Sequence, residues 1–138
     1  MINEIRPKEA CKLLEQHEDA VLIDVRSVME YEFVGHPLNA MHIPIKEPPA
    51  WVTQQDFVNK VRIALKQRLP ENKKILEIPL LMLCRSGKRS ELGAEMLSNE
   101  GFTNVYNVLE GFEGDKDDVG HRNTINGWRY HDLPWEQS

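Results

Sequence analysis

With 138 residues and a formal net charge of −5, the chain has the length of one domain with a sizeable core, and its acidity argues against a nucleic-acid partner. No apolar run approaches the ~18 residues that cross a bilayer, and Met1-Ile2-Asn3-Glu4-Ile5-Arg6-Pro7 has no apolar core of signal-peptide length, so a cytoplasmic protein without a membrane partner is expected. The two cysteines, Cys11 and Cys84, lie far apart in unlike contexts and are expected to be free thiols.

Helix-like and strand-like segments alternate, which predicts an α/β fold with a central, mostly parallel sheet. Pro7 to about His17 reads as a first helix, with Ala10, Leu13 and Leu14 on one face and Cys11 as a small core residue. Ala20 to Val25 follows as a short apolar strand buried on both faces. Ser27 and Glu30 have capping-box spacing, so a short helix begins there, and Arg26 is expected to pair with Glu30. Gly35 to Pro44 reads as loop or short strand, with Asn39 suited to a positive φ. Pro48-Pro49 marks a break before a helix from about Gln54 to Arg68, in which Phe57, Val61 and Leu65 recur at helical spacing.

The next strand starts near Ile78 or Leu80, because Pro79 cannot sit inside a central strand. Lys88 to Asn99 is a helix with Leu92, Met96 and Leu97 inward and Gly101 as its stop, and Val105 to Val108 is a last strand. The 113–138 stretch is a polar extension of the same single domain, expected to be anchored by Trp128, Tyr130 and Trp135. Asp115 opens a stretch that superficially resembles a calcium loop, but Val119 and Asn126 stand where ligands are required, so no metal is expected. His36 and His42 read as structural histidines, and His121 and His131 as surface residues.

Chemistry concentrates in Cys84-Arg85-Ser86-Gly87-Lys88-Arg89-Ser90. A cysteine ends an apolar strand and leads through a loop of three cations and one glycine into a helix. Backbone N–H groups at a helix start lack partners and carry about half a positive charge, so such a loop stabilises a thiolate or a bound anion. Cations in a first helical turn oppose the dipole and call for an anionic partner. Against an acidic background, they favour a small anion over a polyanion.

The run Cys84 to Arg89 resembles the active-site loop of the rhodanese (sulfurtransferase) domain. Asp24-Val25-Arg26, Glu30-Tyr31, Gly35-His36 and Ala40-x-x-Ile43-Pro44 are similar to that family's N-terminal signature in order and approximate spacing, and Leu109-Glu110-Gly111 falls at its Gly-rich turn. The resemblance covers roughly Pro7 to Phe112. It implies a rhodanese-like fold with helices on both faces of the sheet and Cys84 as the catalytic nucleophile. It also implies that the N–H groups of Arg85 to Arg89 hold the sulfur, with Gly87 allowing the tight turn. Arg85, Ser86, Gly87, Lys88 and Arg89 would bind substrate, and Asp24, Arg26 and Ser90 would support the loop.

The implied reaction moves a sulfane sulfur from thiosulfate, or a similar small anionic donor, through a Cys84 persulfide to a thiol, protein or cyanide acceptor, with no cofactor. The alternative is a sulfur carrier or persulfide relay with low turnover of small donors. Cysteine phosphatase or arsenate reductase chemistry is disfavoured by loop length. The phosphatase pattern sets its arginine six positions after the cysteine, where this chain has Ser90, and Arg89 comes one position early.

Overall fold

The computed structural model describes residues 2–138. Along the chain run β1 (Asn3–Ile5), α1 (Pro7–Gln16), β2 (Val21–Asp24), a π-helical turn (Glu30–Val34), β3 (His36–Pro37), β4 (Met41–His42), α2 (Phe57–Arg68), β5 (Leu80–Leu83), α3 (Lys88–Asn99), β6 (Val105–Val108) and β7 (Trp135–Glu136). Five strands form a sheet in the order β1-β6-β5-β2-β4, every neighbouring pair parallel. β5 is central, flanked by β2 with Asp24 opposite Leu83 and by β6 with Asn107 opposite Met82.

The apolar run of β5 is explained by cover on both faces. Its side chains alternate between two layers. Leu80, Met82 and Cys84 pack with Val21, Ile23, Phe57, Val61, Ala94 and Leu97 on the side of α2 and α3. Leu81 and Leu83 pack with Leu22, Ala10, Val108, Phe112 and Trp128 on the side of α1. The alternation therefore delivers Cys84, one residue past the strand, to the face that α3 covers.

Local chemistry sets the element ends. Ser27 and Glu30 form the expected capping box: the Ser27 N–H donates to Glu30 Oε1 at 3.2 Å and the Glu30 N–H to Ser27 Oγ at 3.3 Å. The turn that follows is π-helical rather than α-helical. α2 begins at Phe57, later than the periodicity predicts, because Lys46 bridges Thr53 and the Gln54 N–H donates to Ile45 O at 2.9 Å, holding this stretch extended. Asn39 takes the expected positive φ, at 61°.

The 113–138 stretch folds back onto the α1 layer. β7 pairs antiparallel with β3, Trp128 is buried with its indole N–H on Pro134 O at 3.0 Å, and Trp135 meets Phe112 edge-on at 6.2 Å. Tyr130, expected as a third anchor, is instead exposed. His131, expected on the surface, is half-buried with Nε2 3.0 Å from Glu110 Oε1, because the same turn brings Gly127 onto that carboxylate. Asp117 spends its oxygens on the Val119 and His121 N–H groups and the Thr124 hydroxyl, which gives this acidic stretch a turn-forming role. No group of metal-ligating side chains occurs among the described residues. None of their helices is long and apolar enough to cross a membrane.

Candidate active site

Cys84 is 1% exposed at the carboxyl end of β5, where parallel α/β sheets place their ligands. Its Sγ accepts the Gly87 N–H at 3.1 Å and lies 3.2 Å from the Ser90 hydroxyl. Gly87 adopts a φ of 116°, which turns its N–H back toward the sulfur, and this is why glycine occupies the position. Of the N–H groups expected to ring the sulfur, that of Gly87 makes the contact. Ser90 is fully buried in the first turn of α3.

A second turn pins the loop from behind. After β6, the Phe112 N–H donates to Cys84 O at 2.8 Å and the Glu113 N–H to Arg85 O at 3.0 Å. Gly111 passes so close that a Cβ there would lie 2.5 Å from the Arg85 carbonyl carbon. Asn107 joins this support: its amide NH2 donates to Gly87 O at 3.1 Å and its oxygen faces the Ser90 hydroxyl at 2.6 Å. Sequence reasoning passed over Asn107, which looks like an ordinary member of the strand Val-Tyr-Asn-Val; an amide in an otherwise buried strand was the available signal.

The cations divide into distinct roles. Arg85 and Lys88 are exposed. Arg89 is half-buried and forks onto Glu30 at 2.7 and 2.8 Å. Burial disfavours the ionised Glu30, but the bonds and charge of Arg89, with help from Ser27, outweigh it and bring its pKa from 4.5 to about 2. The Arg26–Glu30 pairing expected from the sequence is not formed. Arg26 is fully buried and bonds Asp24 Oδ2 at 2.7 Å and Gly35 O at 2.7 Å, with its guanidinium 4.3 Å above the Phe112 ring. It chooses Asp24 because a buried guanidinium needs a buried carboxylate, and Asp24 is the one at the end of β2. Asp24 and Arg26 thus brace the end of β2 and, through Phe112, the turn behind Cys84.

Tyr31 stacks between His36 and His42 at 3.9 and 4.1 Å. Each histidine has a backbone partner, Tyr31 O for His36 and Arg26 O for His42, which fits the structural role expected of them. Cys11 lies on α1 away from the loop, partly buried, where burial and neighbouring Glu15 push its thiol pKa up.

A pocket of about 540 Å³ opens beside the loop, lined by Arg85, Arg89, Glu30, Met29, Trp51, Glu113 and Arg122 among others. Two of these, Glu113 and Arg122, come from the 113–138 extension, and Arg122 is held by donation to Gly114 O at 2.7 Å. Nothing in the spacing of the sequence pointed to Arg122.

The site joins a parallel α/β sheet to a cysteine loop at its carboxyl end, tied down by a glycine turn, and comparison with known proteins gives the class of domain. The rhodanese-like domain family matches residues 6–118, and the chain belongs to that family. It is 32% identical over 138 residues to an uncharacterized protein of Rickettsia rickettsii, covering 98% of each chain. It is 29% identical over 111 residues to the thiosulfate sulfurtransferase GlpE of Actinobacillus pleuropneumoniae, covering 80% of this chain and 83% of that one. Among solved structures, Rv0390 from M. tuberculosis superposes with a TM-score of 0.83 at 35% identity, covering 99% of this chain and 98% of the other.

Proposed function

We propose that the protein is a sulfurtransferase in which Cys84 carries the transferred sulfur. The observation behind this reading is the setting of its Sγ. A buried thiol at the end of the central strand faces an N–H donor and a hydroxyl at 3.1 and 3.2 Å, with Arg85, Lys88 and Arg89 following in the chain. In the first step the Cys84 thiolate attacks the outer sulfur of thiosulfate. The S–S bond to sulfite breaks, sulfite leaves with its electron pair, and Cys84 becomes a persulfide anion. In the second step a thiolate or cyanide attacks the outer sulfur and the Cys84 thiolate is regenerated, so charge balances in both steps. The Gly87 N–H supplies a donor that a negative sulfur requires, and the Ser90 hydroxyl lies within reach of Sγ as a second, its one proton shared with Asn107 Oδ1. The family resemblance and the likeness to GlpE support thiosulfate as donor, and no cofactor is needed.

A persulfide relay to a protein partner is the second reading. Met29 and Trp51 line the pocket and are exposed, and their chain neighbours Val28, Phe33 and Val52 are exposed as well, apolar surface suited to a protein partner. Intact mass before and after thiosulfate tests the shared chemistry. The wild type is expected to gain one sulfur atom, removable by cyanide or thiol, and Cys84→Ser to gain none. Cys11→Ser should load and turn over like wild type, and an equal loss there would overturn the assignment of Cys84. Fast steady-state turnover of thiosulfate identifies the enzyme, whereas a stable persulfide with slow turnover identifies the relay.

A further inference from the structure

The Ser90 hydroxyl has one proton and two acceptors within reach, Asn107 Oδ1 at 2.6 Å and Cys84 Sγ at 3.2 Å. The amide of Asn107 cannot turn away. Gly87 O can only accept, so the NH2 group faces it at 3.1 Å and the oxygen is left facing Ser90. Ser90 and Asn107 are 0% and 2% exposed, so bulk water offers neither a substitute partner.

While Cys84 is a neutral thiol, the geometry suits a chain in which the hydroxyl donates to Asn107 over the shorter distance and the sulfur meets a hydroxyl lone pair. A thiolate reverses the demand. It needs the Ser90 proton, and granting it strips Asn107 Oδ1 of its donor inside the core, where an unsatisfied acceptor is costly. Resting on the reading of Cys84 as the nucleophile, we infer that Asn107 is a positioning residue that competes with Cys84 for the Ser90 hydroxyl and so withholds full stabilisation from the thiolate. Once Sγ bears the outer sulfur it is formally neutral, and the hydroxyl returns to Asn107. The arrangement makes the unloaded thiolate more reactive and favours the loaded state.

The charges around Cys84 are Arg85, Lys88 and Arg89 from the loop and α3, Asp24 and Arg26 from the end of β2, Glu30 on Arg89, and Glu113 and Arg122 at the pocket. They are the same in every variant below, so they cancel in the comparison. The test is the rate of iodoacetamide alkylation against pH, in the full chain with Cys11→Ser so that Cys84 is the remaining thiol. Asn107→Leu frees the hydroxyl for sulfur. It should move the midpoint of the profile down by about one pH unit, or tenfold more thiolate at a fixed pH below it. In a Ser90→Ala background the same substitution should produce no shift, because the hydroxyl through which it acts is gone.

A merely structural role predicts the opposite sign, since loosening Gly87 would take its N–H from the sulfur and move the midpoint up. An upward shift, no shift, or an equal shift without Ser90 would each overturn the inference. If Asn107→Leu does not fold, Asn107→Val, which suits a strand, gives the same comparison. Alkylation uses no sulfur donor, which separates this inference from the proposed activity. Persulfide formation without the shift refutes the role of Asn107, and the shift without persulfide formation refutes the sulfurtransferase.

Discussion

Arg89 and Glu30 form a two-pronged ion pair, Nη1 to Oε1 at 2.7 Å and Nη2 to Oε2 at 2.8 Å, joining the first turn of α3 to the π-helical turn after β2. Both side chains are mostly shielded, at 15% and 17% exposure. The fork has two effects. It holds the wall of the pocket against the helix that carries Ser90, and it compensates a cation that would otherwise oppose the α3 dipole.

This pair should appear as acid sensitivity. Glu30 titrates at 4.5 when unpaired and at about 2 in the folded protein. A depressed carboxylate contributes its full stability above the unfolded value and loses it as pH falls toward the folded one, here between about 4.5 and 2. The contribution is at most about 3 kcal/mol. Urea unfolding at pH 7 and at pH 3 should show that Glu30→Gln is markedly less stable than wild type at pH 7 and that the gap narrows at pH 3. A gap that stays constant would show that the fork contributes nothing through ionisation.

The Asp24–Arg26 pair is deeper, with both side chains at 0% exposure. Removing one partner leaves a buried charge alone, so Asp24→Asn should cost about 3–5 kcal/mol, more than Glu30→Gln. Equilibrium denaturation at pH 7 measures both, and equal costs would mean that Arg26 finds another partner, with Gly35 O already beside it at 2.7 Å.

The elements legible in the sequence were those with a strong period or a run of apolar residues. α3 and β6 fall at the predicted residues, and α1 and β5 within one or two. What was not legible depends on contacts distant in sequence. β1 has two exposed residues of three and forms by pairing with β6, and β3 pairs with β7 a hundred residues on. Within the candidate site, Cys84, Gly87 and Ser90 were readable because they share one short motif. Asn107 and Arg122 reach it from other elements, and the partners of Arg26 and Glu30 were exchanged because spacing along the chain cannot report which carboxylate is buried.

Gly111 carries a prediction about the turn behind the loop. Its φ is 70°, and a Cβ would lie 2.5 Å from the Arg85 carbonyl and 2.6 Å from Cys84 O. Gly120, with a φ of 81° and nothing within 4 Å of its missing Cβ, serves as control. Gly120→Ala should show only the conformational penalty, ~1–2 kcal/mol, with sulfur loading intact. Gly111→Ala adds a backbone clash at the loop and should lose most persulfide formation as well as more stability. Equal behaviour of the two variants in mass spectrometry and thermal melting would mean that the loop does not depend on this close approach.

Arg122 lies beyond residue 118, where the match to the rhodanese-like family ends, yet it lines the same pocket as Arg85 and Arg89. Its guanidinium is anchored on Gly114 O at 2.7 Å, so less side-chain freedom is lost when it meets an anion. Arg89 is already compensated by Glu30, and Glu113 lies in the same lining. Arg85 and Arg122 are therefore the arginines of this pocket not forked onto a carboxylate. Arg122→Met removes one of them and keeps much of the apolar stem. With thiosulfate as donor, KM should rise about threefold to tenfold at low salt with kcat nearly unchanged, the pattern of lost uniform binding. The difference should shrink at ~1 M salt, where charges are screened beyond about 3 Å. A kcat loss at constant KM would place Arg122 on the transition state instead, and an unchanged KM at low salt would remove the extension from donor binding.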